Sequence, residues 1–336
     1  MKIIFVVNPK AGKGKGIDKL KETISKTSET MGIPAGFYMT KGVGDAEAFA
    51  RVAVAEAEQQ GEEIRLIACG GDGTLNEVVN GIMGHHCASV GVMPIGTGND
   101  FVRNFPYTGD FLSVADQLRG KLFKSDVMEY KGVIDGKEQV RYCANMFNIG
   151  FDCNVADLTA HLKEYPFIKG SFAYLAAVAG TFVKKKGAKL QVQIDGRVVE
   201  EGDVLLTAIA NGGFCGGGVN SAPKASLEDG LMDVNIVYNV TRRDFLRLFP
   251  RYSKGTHMEL PDIEKYLCFK QCKTATITPL DKTMRLCADG EIYDAEEIHI
   301  KMIPSGVNFL LPVKDESPKG EENKNSEKEV ITSEKL

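Results

Sequence analysis

Two textures of apolar patterning divide the chain. In the first third, short continuous apolar runs alternate with segments whose apolar positions recur every three or four residues. "KIIFVV" from Lys2, "AGFYMT" from Ala35, "EIRLIAC" from Glu63 and "SVGVMPIG" from Ser89 read as strands. Between them "DKLKETISKTSETMG", "DAEAFARVAVAEAEQQG" and "NEVVNGIM" read as helices, the first two closed by Gly32 and Gly61. A βαβαβαβ order predicts a doubly wound parallel sheet, with ligands bound beyond the carboxyl ends of its strands.

From about Val127 the pattern becomes strand-like. It runs through "SDVMEYKGVIDG", "QVRYCANMFNIG", "AKLQVQIDGRVVEEG", "DVLLTAIANGG", "LMDVNIVYNV", "TATITPL" and "EEIHIKMIP". Asp-Gly pairs join several of these runs, as hairpins require. Helical periodicity interrupts at 154–183 and 241–254. The expected organisation is an α/β domain over 1–127, to which the chain returns at 304–313, and a mainly antiparallel β-sandwich over 128–303. The residues from 314 to 336 are polar and charged, with the composition of a disordered tail.

Composition narrows the classes. At 336 residues, 43% apolar and 26% charged, the chain has room for two cores. A formal charge of −4 argues against a nucleic-acid partner. The cysteines form no CxxC pair, and His85, His86, His161, His257 and His299 have no metal-ligand spacing, so the thiols read as reduced and cytosolic. The N-terminal apolar run is stopped early by proline and glycine, so it reads as a first strand and not as an export signal. "FAYLAAVAGTFV" from Phe172 is too short to span a bilayer. A soluble, cytoplasmic protein is expected.

The chemistry gathers in three glycine-rich loops at one sheet edge: "NPKAGKGKG", "GGDGT" and "PIGTGND". A loop between a parallel strand and a helix aims backbone N–H groups at one point, and glycine lets a phosphate approach the backbone. "AGKGKG" lacks the Ser or Thr of a Walker loop. The second strand ends without the carboxylate of a dinucleotide site. Asp72 either holds a cation beside phosphate oxygens or caps the helix that follows. Asp100, in the neighbouring loop, favours metal and phosphate chemistry.

These residues resemble the diacylglycerol kinase catalytic family of bacterial lipid kinases, which also includes the sphingosine kinases. The resemblance rests on "VNPKAGKGKG" at Val7, "GGDGTLNEVVNGI" at Gly70 and "PIGTGNDFVRN" at Pro94. It continues through "NGGFCGGGVNSAPKASLEDGLMDV" at Asn211 and "DGE" at Asp289. It implies an NAD kinase- or phosphofructokinase-like fold in the first domain and a lipid-substrate role for the second. The implied ATP site comprises Asn8, Pro9, Lys10, Ala11, Gly12, Thr40, Gly71, Asp72, Gly73, Thr74, Leu75, Asn76, Glu77 and Thr97. Asp72 and Asp100 are the implied essential acids, with Asp289 or Glu291 as the catalytic group. A structural Mg²⁺ is implied on Ser226, Asp229 and Leu231; Leu231 can offer only a backbone oxygen, and Ser226 replaces a charged residue of some members.

The expected reaction is transfer of the ATP γ-phosphoryl group to a lipid hydroxyl, with diacylglycerol as the default acceptor. Sphingoid bases, ceramide and phosphatidylglycerol remain open as acceptors, as do NAD kinase activity and a non-catalytic binding role. A lipid acceptor implies peripheral contact with a membrane, and soluble relatives suggest a homodimer. In "TRRDFLRLFPRYSKG", Phe245, Leu246, Leu248 and Phe249 share a side, with Arg243, Arg247 and Arg251 opposite. Such a helix lies on an anionic membrane or packs on its own sheet. Lys184, Lys185 and Lys186 form a second basic cluster.

Overall fold

The computed structural model describes residues 1–14, 16–106, 108–151, 153–155, 158 and 187–314. Most of the helical pattern at 154–183, the cluster Lys184–Lys186 and the tail after Lys314 lie outside the described residues.

The first lobe is built on strands β1 (Lys2–Val7), β2 (Ala35–Met39), β3 (Ile64–Gly70) and β4 (Ala88–Pro94), in the parallel order β2-β1-β3-β4. Helices α1 (Ile17–Met31), α2 (Asp45–Gln59), α3 (Asp72–Ile82) and α4 (Val114–Leu118) cover it. Side chains of β1 alternate between two cores. Ile4 and Val6 pack with Ala50, Val54, Leu75 and Val78 of α2 and α3. Ile3, Phe5 and Val7 pack with Ile17, Ile24 and Leu118 of α1 and α4. That alternation accounts for a continuous apolar strand buried on both faces. Helix α3 starts at Asp72 and not at Asn76, so the second half of "GGDGT" is its first turn.

The second lobe contains β5 (Lys121–Ile134), β6 (Lys137–Cys143), β7 (Met146–Gly150), β8 (Ala188–Ile194), β9 (Arg197–Ala210), β10 (Phe214–Cys215), β11 (Val219–Asn220), β12 (Met232–Tyr238), β13 (Leu267–Cys272), β14 (Thr274–Pro279), β15 (Met284–Ala288) and β16 (Glu291–Leu311). All its pairings are antiparallel. Strands β16, β15, β7, β9, β8 and β14 pair in sequence, and β14 returns to β16. This closed circuit surrounds a core of Met128, Phe147, Ile149, Val192, Ile209, Val234, Ile277, Leu286 and Ile300. Three tight turns, at Asp135-Gly136, Asp195-Gly196 and Asp289-Gly290, have positive φ at both central residues, as two-residue hairpins of this twist require.

The far end of β16 enters the parallel sheet, pairing Phe309 with Val90 and Leu310 with Gly91 of β4. One strand therefore belongs to both lobes. Asp126 braces the same junction. Its buried carboxylate accepts from Ser305 N and Gly230 N, both at 2.6 Å, while its own N–H donates to Leu227 O.

Helix α5 (Arg242–Lys254) settles the alternatives for its apolar side. Phe245, Leu248 and Tyr252 are buried in a cluster with Met146, Leu206, Ala208 and Val237. Phe245 stacks on Phe249 and meets Phe151. The apolar face packs on the protein's own sheet. Leu246, expected on that side, is 63% exposed, and Arg243, Arg247 and Arg251 face solvent. Among the described residues no helix is long and apolar enough to cross a membrane.

Replacing Asp126 by Ala leaves two buried N–H groups without acceptors. Urea unfolding of Asp126→Ala should show a loss of ~3 kcal/mol, with the midpoint shifted and the slope retained.

Candidate functional site

The three glycine-rich loops meet at the carboxyl ends of β1, β3 and β4 around a cavity of 620 Å³. Its lining includes Asn8, Pro9, Lys10, Ala11, Gly12, Thr40, Gly71, Gly73, Thr74, Glu77, Thr97 and Glu291. Lys41, Gly42, Val43, Ala46 and Gly96 also line it, beyond the residues that the resemblance implies. The turn "KGVGDA" after β2 was the available signal: it is another glycine loop at the same sheet edge. Of the expected nucleotide residues, Asp72, Leu75 and Asn76 do not line the cavity. Leu75 is in the core beneath α3. Asn76 faces away, toward the second lobe.

Backbone supplies much of this lining, and the first turn of α3 opens into it. That gives donor groups and a positive helix end for an anion, joined by Lys10 and Lys41. Asn8 donates to Thr74 Oγ1 at 3.3 Å and accepts from Lys10 N, tying the first loop to α3. Glu77 accepts from Gly44 N and Ala46 N, fixing the start of α2.

The glycines of "GGDGT" are not there only for a ligand. A Cβ on Gly70 would fall on Thr74, and one on Gly96 would fall on the backbone of Gly71. A Cβ on Gly73 would collide with Oε1 of Glu291. Close packing between the two loops thus demands glycine at 96 whether or not phosphate is bound, whereas at 73 the end of the Glu291 side chain could swing aside. Asn99, at φ 53°, staples the second loop by donating to Pro94 O and Gly96 O.

Asp72 does not cap its own helix: Gly71 is the N-cap, with no side-chain hydrogen bond. The Asp72 Oδ1 atom accepts instead from Asp100 N at 2.8 Å and Phe101 N at 3.3 Å. Its Oδ2 lies beside Gly98, as does Oδ2 of Asp100, so the two carboxylates converge there. Burial, then the neighbouring Asp100 charge, pushes the Asp72 carboxyl up to about 6. Burial also raises that of Asp100. Asp100 accepts twice from Gly217 N of the β10–β11 turn and lies 3.6 Å from Arg103 Nε.

The Asp289-Gly290 hairpin separates the two candidate catalytic acids. Asp289 is buried, and its carboxylate accepts from Ala144 N, Asn145 N, Met146 N, Asn76 Nδ2 and Cys143 Sγ. Five donors thus surround its two oxygens. Glu291, two residues on, lines the cavity against Gly73. Partial burial and the nearby Glu77 raise its carboxyl above the usual range, against the pull of Arg141.

In "SLEDGLMD", Asp229 is exposed and its Oδ1 accepts from Leu231 N at 3.0 Å. Ser226 Oγ accepts from Glu228 N at 3.4 Å. The loop is short, oxygen-rich and anchored beneath by Asp126. Among the described residues, no three His, Cys, Asp or Glu side chains gather as a metal cluster. A magnesium site does not need three: one or two carboxylates suffice when carbonyl, water or phosphate oxygens complete the shell. Both Asp229 with its loop oxygens and the repelling Asp72–Asp100 pair fit that chemistry.

A family model of the diacylglycerol kinase catalytic domain matches residues 2–130, and one of the YegS C-terminal NAD kinase beta sandwich-like domain matches 145–311. A diacylglycerol kinase of Staphylococcus aureus is 30% identical over 290 residues, covering 85% of this chain and 85% of its own. One from Staphylococcus carnosus is 29% identical over 290 residues, covering 85% and 87%. The fold matches a solved structure of a Bacillus anthracis diacylglycerol kinase with TM-score 0.63 and 19% identity, over 92% of this chain and 96% of that one. A second Bacillus anthracis structure matches with TM-score 0.68 and 20% identity, over the same shares.

A carboxyl pushed up on folding costs stability once pH exceeds its unfolded value of about 3.9, and the full cost is reached above about 6. Asp72→Asn keeps the Oδ1 acceptor and removes the charge. In metal-free buffer at pH 7.5 it should melt higher than the parent, by ~2 kcal/mol in stability. The difference should shrink toward zero by pH 4.

Proposed function

Because the chain belongs to the diacylglycerol kinase catalytic family, we propose that it transfers the γ-phosphoryl group of ATP to a lipid hydroxyl, with diacylglycerol as acceptor and phosphatidate as product. The observation that carries this reading is the presence of Glu291, from the second lobe, inside the glycine-lined cavity of the first. A phosphate cradle and a carboxyl of raised pKa thereby share one space.

ATP would occupy the cavity with its phosphates toward the backbone of Gly12, Gly71, Gly73 and Thr74. Lys10 and Lys41 offset their charge at the rim. Phosphoryl transfer asks chiefly for positioning and charge stabilisation. Glu291 accepts the acceptor's hydroxyl proton as that oxygen bonds to the γ-phosphorus, and the bond to the β,γ-bridging oxygen breaks to release ADP. Asp289 is a positioning residue: it fixes the hairpin that presents Glu291. Asp72 and Asp100 would hold Mg²⁺, which supplies charge neutralisation at the phosphates. Asp229, with backbone oxygens of Ser226 and Leu231, would hold a second, structural ion.

A lipid acceptor must be met at a membrane. Since the apolar face of α5 is committed to the core, the contact reads as electrostatic, through exposed Arg243, Arg247 and Arg251. Each is worth ~1 kcal/mol near an anionic surface. Sedimentation with phosphatidylserine-containing vesicles should exceed that with neutral vesicles and fall when all three are changed to Gln. Equal binding to both vesicle types contradicts this.

Labelled-ATP transfer across a panel of lipids in mixed micelles tests the reaction, and NAD in the same panel tests transfer to a ribose hydroxyl. Glu291→Gln should lower kcat by about 10²–10⁴-fold with little change in ATP affinity. The acid limb of the parent kcat profile should lie above the ordinary carboxylate range, because the active form is the deprotonated one. The Gln variant should lose that limb.

A further inference from the structure

Arg141 of β6 is a largely buried cation at the junction of the lobes. Its side chain is 19% exposed, and its Nη2 donates to Glu47 Oε2 of α2 at 3.1 Å, tying the second lobe to the first. Glu47 divides its charge, because its Oε1 also accepts from the exposed Arg51 at 2.9 Å. The Arg141 Nε–H is buried and has no hydrogen-bond partner. A guanidinium held at one edge and unsaturated at another keeps charge that a second anion can use.

Register and one shared amide bring this cation to Glu291. Arg141 stands opposite Tyr130 of β5, and Glu291 stands opposite Ala288 of β15. Tyr130 and Ala288 both belong to the core of the second lobe. Directly paired residues share a sheet face, so Arg141 and Glu291 both stand on the inner one. Asn76 of α3 then fixes their approach. Its Nδ2 donates to Tyr142 O at 3.1 Å and to Asp289 Oδ2 at 2.9 Å. One nitrogen therefore holds the residue after Arg141 and the residue two before Glu291. Asn80 adds a two-way clamp on Tyr142, donating to its O and accepting from its N, both at 2.9 Å. The helix that meets Glu291 at Gly73 is thus the one that fixes the backbone beside Arg141.

Each element around Glu291 brings a charge of known sign. Glu77 of α3 and Asp289 of its own hairpin push the carboxyl up, in addition to burial. Asp72, in the first turn of α3, is directed instead to Asp100 N and Gly98. Burial pushes up the phenols of Tyr130 and Tyr293 and the thiol of Cys287, so these neighbours are neutral. Lys10 and Lys41 line the cavity from the loops after β1 and β2. Arg141 is the cation that pulls the Glu291 carboxyl down. Away from water that pull is weakly screened. A general base surrounded by two other acids needs such a cation to be ionised when the acceptor hydroxyl arrives.

We propose that Arg141 is a positioning residue for the reaction: it holds the Glu291 carboxylate in its charged, proton-accepting form, and Glu47 competes for the same guanidinium across the lobe boundary. This deepens the lipid kinase reading and rests on it for the link to turnover, but the pairing can be measured without ATP or lipid. Arg141 acts through Glu291 and touches no substrate. The base is thereby competent only where β6, α2 and α3 are docked together.

The test uses the full chain labelled with [δ-¹³C]glutamate, with the Glu291 carboxyl resonance assigned by its loss in Glu291→Gln. That resonance should titrate at higher pH in Arg141→Gln than in the parent, and return toward the parent in Arg141→Lys. Glu47→Gln leaves the cation without its counter-charge, so there the resonance should titrate at lower pH. This opposite sign lets the assignment be judged even where Arg141→Gln fails to fold. In turnover, the acid limb of kcat should follow: the ratio of kcat at pH 6 to kcat at pH 8.5 should fall at least ~threefold in Arg141→Gln. In a Glu291→Gln background the same change should leave the ratio alone. A Glu291 titration unmoved in Arg141→Gln overturns the proposal. So does an upward displacement in Glu47→Gln, because that outcome makes lobe docking, and not the Arg141 charge, the cause. If the titrations move as expected and no lipid accepts phosphate, the pairing stands and the kinase reading fails. If diacylglycerol is phosphorylated with the same acid limb in the parent and in Arg141→Gln, the kinase reading stands and the pairing fails.

Discussion

The Asp289 carboxylate is the joint on which the two lobes depend. Three consecutive amides of the β6–β7 turn, the Asn76 amide of α3 and the Cys143 thiol all converge on its two oxygens. Those donors come from both halves of the molecule, and a buried carboxylate with fewer of them would face a desolvation penalty of several kcal/mol. The demand for saturation therefore specifies how α3 meets the second lobe. It also determines where the next residues of the hairpin go. Glu291 reaches the first turn of α3 because Asp289 is held, and its carboxylate fills the space beside Gly73.

This chain of dependence changes the meaning of the glycine motif. Phosphate access would by itself explain flexible or open glycines. Three of the observed ones are crowded, Gly70 by Thr74, Gly96 by Gly71 and Gly73 by Glu291, while Gly71 has only an ordinary contact with Gly96. None of these four has positive φ, so backbone conformation is not the reason either. The motif encodes the fit of one loop on the next, with the Gly73–Glu291 contact reaching into the second lobe, and the cavity is what that fit leaves between the loops.

Most of the architecture was legible because its signals are local. Alternating runs and helical periods gave β1 to β4 and their helices, and Asp-Gly pairs marked the three two-residue hairpins. What escaped reading was nonlocal. Nothing in "LCADGEIYD" indicates that one aspartate is enclosed and the glutamate two positions on is accessible; that difference arises only when residues 144–146 fold over the turn. Asp126 sits in an ordinary strand sequence, yet it clamps segments more than a hundred residues away. The α5 pattern was ambiguous because a membrane and a sheet select the same amphipathic face. The resemblance implies Leu75 and Asn76 in the nucleotide site as part of the run Gly71 to Glu77, but a helix turns 100° per residue, so only some positions of its first turns can face one cavity.

The buried acids fall into two physical kinds, and the division separates scaffold from chemistry. Asp289 and Asp126 are supplied with donors from several chain segments, so their negative charge is satisfied by the fold itself. Asp72 and Asp100 are only partly supplied and face each other at Gly98, with Arg103 as the one cation placed on the pair by an ion contact among the described residues. Their raised carboxyl groups are an electrostatic deficit that a cation placed between them would relieve. Asn148 and Asn235, whose buried amide oxygens have no hydrogen-bond partner, pose the neutral version of the same problem on the second lobe. The acids sit on the first turn of α3 and in the loop after β4, and the amides on β7 and β12, so each deficit is set by backbone that the surrounding packing holds in place.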